Sequence, residues 1–272
     1  MMSILAIALV LVVALSAVFV GCGKTEKVKI TGSTSVAPLM KVLAAAYEKE
    51  NKNVRIEVGE GGSSQGIKDT QDGKNDIGMA SRDLKKDSVT GEYTETGLDK
   101  IQIAYDGVAV IINKEASIEG NNVTNEQLYA LYAYGTPIGG ISLPVSREDG
   151  SGTREAFDEK ITDAEGNKLI DLTKFTSGIQ IANGTNIVMT DVAGNVANIS
   201  MGSLNDTVKA VKYNGVEPTV ENVKNGTYKL ARPFLIVTKS GAELSQAAKD
   251  FIDFILSEAG QKIVAEEGYV AM

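Results

Sequence analysis

Short apolar strands alternate with helix-forming stretches along most of this chain, and that alternation constrains its fold more than any other feature. Val28-Lys29-Ile30 alternates as a strand does and runs into Thr31-Gly32-Ser33-Thr34-Ser35. Val36, Leu39, Met40, Leu43, Ala46 and Tyr47 then recur at helical spacing. Ser35 is the expected N-cap of that helix, and Pro38 falls in its first turn, where a missing N–H costs nothing. Val54, Ile56 and Val58 open a second unit, followed by a loop over Gly59 to Ser64 and a helix from about Gln65. Ile77–Ala80, Ala104–Ile112 and Phe234–Val237 read as further strands, Asn125–Tyr132 as a short helix and Ala247–Ala265 as one amphipathic helix. Leu143-Pro144-Val145 leads through Ser146 to Thr153 into a helix carrying Ala156 and Phe157. This order predicts an α/β protein with mainly parallel sheets.

Composition narrows the chemistry. The 272 residues suffice for two modest domains, and the net charge of −8 argues against a nucleic-acid partner. It does not exclude a small anion, which responds to local donors. The chain has no histidine, which removes every Ser-His and Cys-His arrangement and the commonest metal ligand. Its single cysteine, Cys22, excludes an intrachain disulfide and a multi-cysteine zinc site. No metal and no cofactor are expected.

Cys22 ends an almost continuous apolar run, Ile4 to Val20, followed by Gly21. An apolar run closing on small residues is the pattern of a secretory signal. With a cysteine at the cleavage point it resembles the lipobox of bacterial-type lipoproteins, in which Cys22 is lipidated and becomes the first residue. An uncleaved membrane anchor and a buried core helix are the alternatives. On the lipobox reading, residues 1–22 are the signal and 23–27 a tether, and the folded part is extracytoplasmic and lipid-anchored to the cell membrane.

Three segments share one order of strand, Gly/Ser/Thr loop and helix start: Gly32 to Ser35, Gly61 to Gly66, and Arg147 to Arg154. Free backbone N–H groups and the positive end of the helix dipole favour an anion there. Hydroxyls add neutral donors, and Arg147 adds a charge-assisted one. Gly62-Ser63-Ser64-Gln65-Gly66 also fits the G-x-S-x-G elbow of hydrolases, which without histidine leaves only a Ser-Lys enzyme. Glu148 and Asp149 read as a solvated loop, and Asn183-Gly184-Thr185 as one of several chance N-x-S/T triplets.

Thr31 to Pro38, Gly61 to Gly66, Gly78-Met79-Ala80-Ser81-Arg82, Tyr105 to Ile111, Ser146 to Arg154 and Arg232-Pro233-Phe234 together resemble the phosphate-binding component of the phosphate ABC transporter. The resemblance runs in order from about Ile30 to Val264. It implies a two-lobed periplasmic-binding-protein-like clamp (type II) with the ligand in the inter-lobe cleft. Lobe 1 is then 28–108 plus 235–272, and lobe 2 is 109–234. It also implies a monomer, not an enzyme, whose partners are inorganic phosphate and the permease subunits of an ABC importer.

Carried over by position, the phosphate contacts are Thr34, Ser35, Ser64, Arg82, Arg147, Ser151, Gly152 and Thr153, with Ser33, Ser81, Asp83 and Asp149 as further candidates. The best-studied members have an aspartate where Arg82 stands, accepting the proton of a protonated phosphate oxygen. Either Asp83 or Asp149 is then the acceptor that rejects sulfate, or discrimination against sulfate is weaker. The same fold serving sulfate or molybdate, a Ser-Lys hydrolase, and a surface receptor are the rival functions.

Overall fold

The computed structural model describes residues 25–172, 175–202 and 208–272, so the expected signal and Cys22 lie outside the described residues. Two mixed sheets build the protein. In the first, β1 (Glu26–Gly32), β2 (Val54–Glu60), β3 (Ile77–Ala80), β4 (Leu98–Gly107) and β11 (Ala231–Lys239) lie in the order β2-β1-β3-β11-β4. In the second, β5 (Ala109–Asn113), β6 (Asn122–Val123), β7 (Leu143–Arg147), β8 (Gln180–Ala182), β9 (Asn198–Gly202) and β10 (Val208–Tyr213) lie in the order β6-β10-β5-β9-β7-β8. The helices among the described residues are α1 (Ala37–Glu50), α2 (Ser63–Gln71), α3 (Asn125–Tyr134), α4 (Gly152–Asp158), α5 (Thr185–Gly194), α6 (Val220–Lys224), α7 (Gln246–Leu256) and α8 (Glu258–Glu266).

The sheets are less parallel than the alternation predicts. β1 is parallel to β2 and β3, whereas β11 is antiparallel to β3 and β4. The reason is the route of the chain: it leaves the first sheet along β4 and returns beside it along β11, so the two crossing strands run in opposite directions. The apolar run Ala104–Ile112 accordingly belongs to two strands in two sheets, split at Val108. The return strand pairs with the first sheet from Ala231, opposite Gly107, ahead of the boundary expected at 234/235.

Two crossovers make the junction between lobes, and a buried ion pair holds them side by side. Arg232 donates from Nε and Nη2 to Asp106 Oδ2 at 3.0 and 2.8 Å. Burial raises the Asp106 carboxyl, and the Arg232 charge works against that rise.

Each lobe has its own core. In lobe 1, Val28 and Ile30 on β1 meet Leu39 and Leu43 on α1 and Phe251 and Ile255 on α7. In lobe 2, Val110, Ile112 and Ile199 on the sheet meet Leu128, Leu131 and Tyr132 on α3. Removal of this apolar area from water is the main term fixing the helices to their sheets. α2 packs especially close, because a Cβ on Gly66 would lie 2.6 Å from Gly32 Cα and 2.7 Å from the Thr31 oxygen. That approach sets Ser63 and Ser64 at the carboxyl end of β1.

The expected helix Ala247–Ala265 is two helices. Ser257 is extended between them, donating to the Phe254 carbonyl at 2.7 Å and accepting from Gly260 N–H at 3.2 Å. A side chain that both closes one helix and caps the next breaks a continuous apolar periodicity. Among the described residues no helix is long and apolar enough to cross a membrane.

Asp158, at the end of α4, is buried inside lobe 2, and burial pushes its carboxyl up to about 7 against the pull of Arg154. A carboxyl whose folded pKa lies above its unfolded one near 3.9 costs stability as pH rises from that value through about 7. Asp158→Asn should therefore leave stability little changed at pH 4 and raise it at pH 8 by up to about 4 kcal/mol. Urea unfolding of both proteins at the two pH values checks this.

Candidate functional site

The starts of four helices converge between the lobes: α1 and α2 from lobe 1, α4 and α5 from lobe 2. α1 opens in a turn in which Ala37 N–H donates to the Ser33 carbonyl at 3.0 Å. Ser33, not Ser35, takes the free N–H groups there, its Oγ accepting from Ser35 and Val36 at 3.2 and 3.3 Å. The helical turn thus begins earlier than the apolar spacing suggests, and it frees the Ser35 hydroxyl to face the other lobe. Ser35 Oγ lies 2.8 Å from Thr153 Oγ1 and 3.1 Å from Thr185 Oγ1.

Arg147 ends β7 and is 1% exposed, with its donors fanned into this group. Nη2 donates to Thr34 Oγ1 at 2.9 Å and Nη1 to Thr185 Oγ1 at 3.2 Å. Nε and Nη2 both meet the Glu148 carboxylate at 2.7 Å, and Glu148 Oε2 accepts from Gly184 N–H at 3.1 Å. Burial raises the Glu148 carboxyl, but Arg147 and the Gly184 N–H outweigh it and hold it below the usual range. Glu148 therefore stays ionised beside the cluster, which corrects its reading as a solvated loop residue.

A second chain of hydroxyls lies behind the first. Ser81 Oγ is 2.9 Å from Ser33 Oγ and 3.3 Å from Ser63 Oγ, and Ser81 N–H donates to Ser63 Oγ at 3.1 Å. Gly152 seats directly on this pair, so a Cβ there would lie 3.0 Å from Ser63 Cβ and 2.8 Å from Ser81 Oγ. Ser151 caps α4 by accepting from Arg154 N–H at 3.3 Å. Ser64 N–H crosses to the Gly150 carbonyl at 3.1 Å.

Thr34, Ser35, Arg147 and Thr153 are thus joined through hydrogen bonds, with Ser33, Ser81, Ser64, Ser151 and Gly152 packed around them. The two aspartates stand elsewhere. Asp83 is half-exposed and pairs with Lys100 Nζ at 2.5 Å, and Asp149 projects into solvent against Arg154 at 2.7 Å. Arg82 sits at the edge of the group, donating from Nη2 to Ser64 Oγ at 3.1 Å.

The residue that sequence reasoning passed over is Thr185, which touches Thr34, Ser35 and Arg147. Its signal was available: Ile181-Ala182 on β8, then Asn183-Gly184 and the start of α5, repeat the strand, glycine, hydroxyl and helix order of the other three loops. A cavity of about 490 Å³ opens beside this corner, lined by Thr34, Gly61, Glu148, Thr185 and Ile187 among others. Removing a hydroxyl that shares a charged donor costs roughly 1.5–3 kcal/mol. Thr185→Ala should weaken anion binding about tenfold in a titration, with the unfolding midpoint nearly unchanged.

The family model described as a PBP superfamily domain matches residues 23–259. A solved phosphate ABC transporter substrate-binding protein from Clostridium perfringens, with bound phosphate, is 42% identical, with a TM-score of 0.81 over 91% of this chain and 100% of that one. This chain belongs to the family of phosphate ABC transporter substrate-binding proteins within the PBP superfamily. Its expected α/β, two-lobed fold is that of the family. An ABC-type phosphate transport receptor from Vibrio cholerae is 30% identical, with a TM-score of 0.70 over 91% of this chain and 100% of that one. The phosphate-binding protein PstS 2 of Streptococcus agalactiae is 45% identical over 132 residues, 47% of this chain and 45% of that relative, so the matched stretch spans about half of that protein.

Proposed function

We propose that this chain binds inorganic phosphate between its lobes and delivers it to the permease of an ABC importer. The observation that carries this reading is buried Arg147, joined to hydroxyls of both lobes by way of Thr34 on one side and Thr185 on the other. A dianion entering there replaces hydroxyl-to-hydroxyl bonds with bonds from the same hydroxyls, and closure of both lobes completes its shell. Glu148 offsets the Arg147 charge, so the dianion meets fixed donors more than net positive charge. The phosphate-bound relative at 42% identity supports the choice of ligand.

The contacts proposed for phosphate are Thr34, Ser35, Ser64, Arg147, Ser151, Gly152 and Thr153, with Thr185 added. The protein acts as a monomer on the outer side of the membrane, tethered through Cys22. Cys22→Ser should release it into the soluble fraction, whereas the parent protein stays with the membrane.

A second reading is the same clamp taking sulfate or molybdate, and one observation favours it. Asp83 and Asp149, the expected acceptors for a protonated oxygen, both pair outside the hydroxyl cluster. Competition by sulfate and molybdate against labelled phosphate separates the two: a large excess of either should displace little, and displacement at equal concentration would favour the second reading. A Ser-Lys hydrolase fits poorly, because Ser64 Oγ is bonded to an arginine, which cannot act as the base.

A further inference from the structure

Arg82 stands at the mouth of the hydroxyl cluster with both terminal nitrogens hydrogen-bonded, while its buried Nε makes an ion-pair contact and no hydrogen bond. Nη1 donates to the Asp83 carbonyl at 2.8 Å and to Glu95 Oε2 at 2.7 Å. Nη2 donates to Glu95 Oε1 at 2.8 Å and to Ser64 Oγ at 3.1 Å. Nε is in ion-pair contact with the carboxylate of Glu155. Ser64, Asp83 and Glu95 belong to lobe 1, but Glu155 lies on α4 of lobe 2. Lys85, also of lobe 1, reaches the other Glu155 oxygen at 3.0 Å.

We infer that Arg82 is a positioning residue and not a phosphate contact: with Glu155 it latches the two lobes together, and by donating to Ser64 Oγ it leaves that hydroxyl's own proton free for an anion in the cleft. Burial makes the latch effective, since the Arg82 side chain is 5% exposed and that of Glu155 14%, where water and salt screen an ion pair little. Glu95 makes it reversible. When the lobes part, Arg82 keeps a carboxylate partner in its own lobe, so opening strands no buried cation. Burial lowers the guanidinium's proton affinity, but Glu95 and Glu155 outweigh it, and Arg82 stays charged in both positions.

The latch itself does not depend on which anion binds, and only its effect on affinity rests on the phosphate reading. Closure can be read directly, because Ser64 N–H crosses the cleft to the Gly150 carbonyl at 3.1 Å. In the ligand-free protein, Glu155→Gln should raise hydrogen exchange at Ser64 about tenfold, with exchange at Ile30 in the lobe 1 core unchanged. Glu155→Asp, which keeps the charge, should recover part of the protection. Phosphate titration of Glu155→Gln should show about fivefold weaker binding through faster dissociation. Unchanged exchange at Ser64, or an equal rise at Ile30, would overturn the latch. A rise at Ser64 alone in a protein that takes up no phosphate would uphold the latch and refute the phosphate reading instead.

Discussion

Replacing Arg147 with alanine should weaken phosphate binding by at least about a hundredfold while both lobes stay folded. The guanidinium supplies charge-assisted donors where the hydroxyls of Thr34 and Thr185 meet, and each such bond contributes roughly 1.5–3 kcal/mol. The loss is more than the missing bonds. Glu148 would keep its ionised carboxylate beside the ligand with no cation to offset it, adding repulsion to a dianion. Arg147→Lys should recover only part of the affinity, since an ammonium cannot serve Glu148, Thr34 and Thr185 together from one planar fork. Calorimetric titration of the three proteins measures this. Equal affinity in Arg147→Ala would remove the arginine from the site.

The second large effect is expected from a single methyl group. Gly152→Ala places a Cβ of lobe 2 against Ser63 and Ser81 of lobe 1, with Ser81 Oγ only 2.8 Å away. Both serines are buried and hydrogen-bonded to each other, and Ser81 also to Ser33, so neither can turn aside without losing partners. The clash exists only when the lobes are together. Folding of each lobe should be unaffected, with thermal unfolding of the ligand-free protein within a degree or two, while phosphate binding falls by about a hundredfold or more. A variant that binds normally would show that the lobes meet differently around the ligand.

Local features carried most of the fold in the sequence. β1, β2 and α1 follow from alternation and helical spacing, because each buries one face or one stripe against a single core. What local pattern could not show was where the chain changes sheets. Ala104–Ile112 reads as one β-type run, and the change of sheet falls at Asp106-Gly107-Val108, where a part-exposed end of β4 gives way to the fully buried β5 and no local pattern says which sheet follows. The break at Ser257 was hidden for a related reason: the apolar stripe continues through it, and only the serine's two hydrogen bonds divide the helix.

The site was legible where a loop held several signals at once. Ser146 to Arg154 combines two arginines, two glycines and three hydroxyls, and its Arg147, Gly152 and Thr153 all sit at the lobe junction. Thr185 escaped notice because its loop holds one glycine and one hydroxyl, a pattern that capped helices share. The pairing of Glu148 with Arg147 and of Glu155 with Arg82 lay beyond sequence reasoning for different reasons. Adjacent residues on a strand end usually diverge, and Arg82 and Glu155 are brought together only by the meeting of two lobes.

The most direct test of the account is a calorimetric titration of the protein with phosphate, followed by the same titration with sulfate. One phosphate per chain should bind with micromolar or tighter affinity, and sulfate far more weakly. Absence of any phosphate binding would contradict it, whatever the fold.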